Sequence, residues 1–133
     1  MSLAVLCGVT PRNFLKAVVD GSITTVYPSD FCGVTTVGAY TFYDCDSLTT
    51  AMLPEGVVSI EQFSFCYCSN LTTIWLPATL QKIESEAFGS VKHLSVINFG
   101  GTMSAWNAIN KAADWISGFT SCSVVCTDGT IPL

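Results

Sequence analysis

Positive charge is what this chain has least of. Its 133 residues hold five Lys and Arg against ten Asp and Glu, a formal charge of −5, with one histidine. The cations stand singly at Arg12, Lys16, Lys82, Lys92 and Lys111, so no basic patch exists to neutralise a phosphate backbone, and nucleic acid is not an expected partner. Charge of either sign is also low, at 11% of residues against 50% hydrophobic, which excludes the composition of a disordered chain. Long apolar runs are missing too. None approaches the roughly 18 residues of a membrane span, so membrane insertion is not expected. The opening MSLAVLCGVT lacks the basic stretch of a secretory leader, and Leu6 stands before Cys7 where a lipoprotein signal needs a small residue. No leader is therefore read in it, and Met1 to Leu3 could be an expression scar. A chain of this length reads as one domain with a real core.

What is abundant is repetition. Phe42 to Pro54, FYDCDSLTTAMLP, and Phe65 to Pro77, FCYCSNLTTIWLP, share Phe, Cys, Leu, two Thr and Pro at identical spacing, 23 residues apart. Three copies align without a gap, at 34–56, 57–79 and 80–102. Apolar residues recur in columns: Val37, Ile60, Ile83; Phe42, Phe65, Phe88; Leu48, Leu71, Leu94; Ala51, Ile74, Ile97. A fixed period of this length marks a solenoid, in which one coil cannot bury its own apolar side and needs its neighbours. Seven cysteines are many and odd in number. Two of them, Cys45 and Cys68, occupy one column and are repeat features before they are anything else.

Within each copy LTTAML, LTTIWL and LSVINF carry Thr and β-branched residues and stop at Pro or Gly, the pattern of short parallel strands near 48–53, 71–76 and 94–99. VTTV, VVSI and LQKI give a second, shorter strand per copy. Between them AYTFYDC, QFSFCYC and SEAFGSV space their apolar residues by three, which predicts a single helical turn. The fold class is thus a repeat solenoid of β-rich 23-residue coils with short helical turns and helical caps at both ends. Residues 1–33 are read as an N-terminal cap with a partial repeat, 34–102 as the repeats, and 103–133 as a C-terminal cap. In the first cap Thr10 and Pro11 start a helix, Phe14, Leu15 and Val18 share a face, and Gly21 stops it. SITTVYP follows, with Ile23 and Val26 in the places of Leu48 and Ala51. In the second cap Ser104 to about Ala113 is expected to be helical, with Trp106, Ile109 and Ala113 inward, before a hairpin turning at Asp128 and Gly129.

The phrase I-x-x-x-x-F-x-x-C-x-x-L-T-x-I-x-L-P, read in SIEQFSFCYCSNLTTIWLP, resembles the BspA-type leucine-rich repeats of bacterial and phage-encoded proteins. The likeness is strong over 34–102 and extends to both flanks. The third copy departs from it at Gly89 to Val91, where the Cys is lost, and at Gly100, where the Pro is lost. The resemblance implies a leucine-rich-repeat-like solenoid. It further implies a non-enzymatic protein-binding or adhesion module, extracellular, on a cell surface or in a virion, or alternatively a structural spacer of a larger surface or virion protein. It gives the Cys45 and Cys68 column a buried role, in which the thiol packs or bonds loop backbone.

Catalysis finds little footing in the side chains. A nucleophilic cysteine needs a base, and the single histidine, His93, stands in the loop column of Ser47 and Asn70. Glu61 and Glu84 align on an outer face and read as solvated acids rather than an acid and base pair. Cys66 with Cys68, and Cys122 with Cys126, could in principle hold zinc, but the spacing is weak and buried thiols are the simpler reading; no metal or cofactor is expected. A Cys122–Cys126 disulfide is possible only with a turn between them. Asn70-Leu71-Thr72 matches a glycosylation pattern whose middle residue belongs to the core. The candidate contact surface is the outward column of the longer strands: Tyr27, Met52, Trp75 and Asn98, with Thr50 and Thr73 beside it. Adjacent coils make these one patch, expected to meet a protein ligand, a cell-surface component or a second copy of the chain.

Overall fold

The structure, a computed structural model, describes residues 21–31 and 33–133. The helix expected to start at Thr10 lies outside them, except for its stop, Gly21, a turn residue with φ of 76°. Each coil lends one strand to each of two sheets. The larger holds β1 (Thr25–Val26), β3 (Thr50–Met52), β5 (Thr73–Leu76), β7 (Val96–Phe99), β9 (Ser123–Cys126) and β10 (Gly129–Pro132), in that spatial order. The smaller holds β2 (Thr36–Val37), β4 (Ser59–Ile60), β6 (Lys82–Ile83) and β8 (Asn110–Lys111). All neighbours run parallel except β9 and β10. The expected long strands are present, trimmed at their ends. Thr50, Thr73 and Val96 lie in line, and Val26 opposes Ala51 as the partial repeat requires.

Because side chains alternate along a strand, this register sends Ala51, Ile74, Ile97 and Val124 inward together, and all four are buried. Leu48, Leu71, Leu94 and Val37, Ile60, Ile83 line the same interior. At its centre the Phe42 and Phe65 rings stack at 5.0 Å and 17°, and Phe65 and Phe88 at 5.2 Å and 2°. Phe31 meets Phe42 edge-on at one end, and Trp115 meets Phe88 edge-on at the other. The core is one continuous column rather than a set of separate coils.

The helical turn expected between the short and long strands of each coil does not form. Consecutive β-turns replace it, with Tyr43 N–H donating to the Tyr40 carbonyl and Cys45 N–H to that of Phe42. Two residues per coil take left-handed backbone: Tyr40 and Asp44, Phe63 and Tyr67, Glu86 and Ser90. The reason is where the N–H groups go. Those of Tyr40, Phe42 and Asp44 donate to the carbonyls of Gln62, Ser64 and Cys66 in the next coil, at 3.3, 2.8 and 2.8 Å, and Phe63, Phe65 and Tyr67 repeat the pattern onto Ser85, Ala87 and Gly89. A helical turn would aim these donors along its own segment, and buried backbone donors must find partners. Pairing between coils supplies them.

Nor does a helical cap close the C-terminal end. One helix, α1 (Met103–Ala108), stands where Ser104 to Ala113 was expected to be helical, started by Thr102, whose hydroxyl accepts from Ala105 N–H. Ile109 then turns extended, and Asn110 N–H bonds the Gln81 carbonyl as β8 joins the smaller sheet. Parallel stacking therefore continues through a further, longer coil. Trp106 and Ile109 are buried as expected, but Ala113 is exposed and Trp115 fills the core in its place. The last coil is covered by the β9–β10 hairpin, whose connecting residues are Thr127 and Asp128, while Gly129 already pairs with Cys126. Asp128 also accepts from Met103 N–H at 2.8 Å, tying the hairpin to α1.

Candidate functional site

Outward positions on the larger sheet are set by the same alternation that builds the core. The register places Met52 opposite Trp75, Trp75 opposite Asn98, and Asn98 opposite Val125. Tyr27 follows Val26, the partner of Ala51, and so heads the row. Thr50, Thr73, Val96 and Ser123 form a parallel row two residues back. The six residues singled out from sequence are thus brought onto one face. Trp75 is 42% exposed and Tyr27 and Val125 are also exposed, whereas Met52, Asn98, Thr50 and Thr73 are half-buried between their neighbours. Val125 was missed because 103–133 was read as a cap; the alternation of Val124 and Val125 in CSVVCT carries the signal.

Beside Trp75 the ends of the long strands enclose an open groove of about 420 Å³, lined among others by Pro28, Leu53, Pro54, Pro77 and Phe99. Its lip is held by polar contacts between coils. Gly56 N–H donates to Thr79 Oγ1, that hydroxyl donates to the Val57 carbonyl, and Glu55 accepts from Ala78 N–H. The wall is largely apolar, and among the described residues Glu55 is the one charged group that lines it. Such a surface presents shape and aromatic area.

The opposite edge of the same strands carries a hydroxyl ladder. Thr49 Oγ1 donates to the Thr24 carbonyl, Thr72 Oγ1 to that of Thr49, and Ser95 Oγ to that of Thr72, at 3.1 to 3.2 Å. In the adjoining loop column Asn70 donates to the Asp46 carbonyl at 2.7 Å, and His93 Nδ1 bonds the Ser69 carbonyl at 2.6 Å. A carbonyl only accepts, so Nδ1 carries the proton. His93 thereby ties one coil to the one before it.

The thiols follow the same logic. Cys68 Sγ donates to the Phe42 carbonyl at 3.0 Å. Burial pushes the Cys45 thiol up to about 12 and raises that of Cys68 further, so neither is a ready thiolate nucleophile at neutral pH. Cys122, just before β9, and Cys126, at its end, are unbridged and buried, with Cys122 raised to about 11 by burial. Among the described residues no three His, Cys, Asp or Glu gather in a way that could hold a metal ion. Lys111, its charge disfavoured by desolvation, donates to the Trp106 and Ile109 carbonyls at the end of α1 and lies over the Trp106 ring.

A second exposed surface was not foreseen, because only the outward column of the longer strands was read as a contact face. On the turn side Tyr40 stacks on Phe63 at 5.0 Å, Tyr40 meets Tyr43 at 5.3 Å, and Tyr43 meets Tyr67 edge-on at 5.5 Å. Their positions follow from the left-handed residues, which sequence patterns do not reveal when Tyr and Phe occupy them.

Comparison with known proteins agrees with the repeat geometry. The family model described as BspA type leucine-rich repeat region (6 copies) matches residues 22–112. The crystal structure of a leucine rich cell surface protein from Faecalibacterium prausnitzii A2-165 is similar, at 31% identity and a TM-score of 0.59 over 65% of this chain. This chain spans 24% of that protein's length. No curated protein matches. Among the described residues no helix is long and apolar enough to cross a membrane. With the 23-residue register, the stacked Phe column and a family match over most of its length, the chain belongs to the BspA type leucine-rich repeat family.

Proposed function

We propose that this chain is a protein-binding module of a cell-surface or virion protein, without catalytic activity, and that the row Tyr27, Met52, Trp75, Asn98, with Thr50 and Thr73 beside it, is its contact face. One observation carries the reading: the parallel register sets an exposed Trp75 between Met52 and Asn98, above an apolar groove, on a rigid sheet. Trp anchors seated by well-packed neighbours contribute strongly to protein contacts, and a preformed surface loses little entropy on binding. Val125 extends the row by one coil. The family's repeats and the surface location of the similar Faecalibacterium protein support this role.

The test is saturable binding of the purified chain to immobilised extracellular-matrix proteins, host cells and bacterial envelopes. A partner bound with a defined affinity, and competed by excess unlabelled chain, is the expected result. Retention of nothing across the panel, with the chain folded and monomeric, favours the spacer reading instead.

A further inference from the structure

The turn-side aromatics pose a question the fold does not answer by itself. Tyr40, Tyr43 and Tyr67 are 44, 40 and 48% exposed, and with Phe63 they form one connected cluster across two coils. Three of the four have left-handed backbone, at φ of 61°, 57° and 61° for Tyr40, Phe63 and Tyr67. Left-handed geometry disfavours bulky side chains, and Gly or Asn would serve the turn better. The third coil makes the same turn with Glu86 and Ser90 at the equivalent positions, and Gly89 replaces Tyr43 in its column. Aromatic rings are therefore no requirement of the coil. They also lie outside the continuous core.

The charge around them has one sign for most of its extent. Asp44 and Asp46 are exposed, and with Tyr67, Ser69 and Ser90 they line a recess of about 390 Å³. These two carboxylates crowd each other, which raises the Asp44 carboxyl above its ordinary value, chiefly through the charge of Asp46. Glu86 continues the row begun by Tyr40 and Phe63. Lys92 lines the same recess, one cation against the two carboxylates. Of the other lysines described, Lys82 pairs with Glu84 at 2.9 Å and Lys111 is engaged by carbonyls of α1 and its C-terminal end.

We infer that this face binds a basic segment of a partner protein, with arginine side chains stacking on the Tyr43 and Tyr67 rings and pairing with Asp44 and Asp46. The ring faces are electron-rich and attract cations, and a planar guanidinium can stack and donate hydrogen bonds at once, which an ammonium cannot. An extra cation between Asp44 and Asp46 relieves their repulsion. The chain's net negative charge steers the same kind of partner toward it. This surface is separate from the row centred on Trp75, so neither proposal depends on the other.

The experiment titrates the chain with three fluorescein-labelled dodecapeptides that differ only at four positions, filled by arginine, lysine or citrulline. Citrulline keeps the planar shape and removes the charge. The expected order is arginine tightest, lysine weaker, and citrulline weaker than arginine by about tenfold or more. Tyr43→Ala with Tyr67→Ala, and separately Asp44→Asn with Asp46→Asn, each weaken the arginine peptide by about tenfold, whereas Glu84→Gln with Asp128→Asn, which removes the same charge elsewhere, changes it by less than about twofold. Should the alanine pair lower the melting temperature, Tyr43→Leu with Tyr67→Leu keeps the apolar bulk and is expected to lose the same affinity. Equal binding of the citrulline peptide overturns the proposal in favour of an uncharged stacking ligand. Equal loss in the two charge-removing pairs, or no loss in either tyrosine pair, overturns it as unspecific attraction.

Discussion

Phe65 is held between two parallel rings, Phe42 and Phe88, and is fully buried. Phe65→Ala empties the middle of the core column and is expected to lower stability by about 3–5 kcal/mol, measured by chemical denaturation. Phe31 touches the column edge-on from one side, and Phe31→Ala is expected to do less harm. Equal effects would deny the continuous column. Such inward residues were readable because a 23-residue period repeats their kind. Most of the left-handed residues were not, since Tyr40, Phe63, Tyr67 and Glu86 carry no turn signature and only the hydrogen bonds between coils explain them. Glycine gives a cleaner probe of that contact. At Gly118, with φ of 78°, a Cβ would stand 2.8 Å from the Ser90 backbone, while at Gly33, with φ of 66°, it would meet nothing within 4 Å. Gly118→Ala is therefore expected to destabilise by about 2 kcal/mol or more and Gly33→Ala by about 1 kcal/mol, the left-handed penalty alone. Equal losses would remove the predicted close approach of the last coil to Ser90.

Among elements, strands were easier to read than turns or the helix. Thr-rich runs ended by Pro gave the long strands, and the two-residue strands followed from their columns. The C-terminal helix was overextended because Trp106, Ile109 and Ala113 share a helical spacing. What that spacing could not weigh was the unpaired edge of β6, whose Lys82 and Ile83 draw Asn110 and Lys111 into parallel pairing. The six residues left to α1 make a helix too short to stand on intrinsic propensity. Its ends must therefore matter. Thr102 caps the start, and Lys111 holds carbonyls at the finish. Thr102→Ala is expected to cost about 1 kcal/mol and to lower the melting temperature by about 3 °C, read by calorimetry. Thr102→Ser, which keeps the acceptor, is expected to retain most of that stability. If alanine and serine melt alike, the cap is not what starts α1.

At the scale of the whole molecule, one register does two things. It stacks Ala51, Ile74, Ile97 and Val124 inside, and it must then line up Met52, Trp75, Asn98 and Val125 outside. Thr50, Met52, Thr73, Trp75 and Asn98 could be named from sequence because the period of two along a strand and 23 along the chain fixes their side of the sheet, and Tyr27, 25 residues before Met52, because Ile23 and Val26 match Leu48 and Ala51. The groove next to Trp75 and the tyrosine cluster could not, since both depend on how turns between strands are folded. The most direct measurement of the central proposal is the affinity of Trp75→Ala with Met52→Ser for a partner found in the binding panel, with melting and circular dichroism recorded alongside. An unchanged fold with affinity reduced about tenfold or more, which is about 1.4 kcal/mol, is the predicted result. Unchanged affinity in a folded double variant contradicts it and moves the contact away from this face.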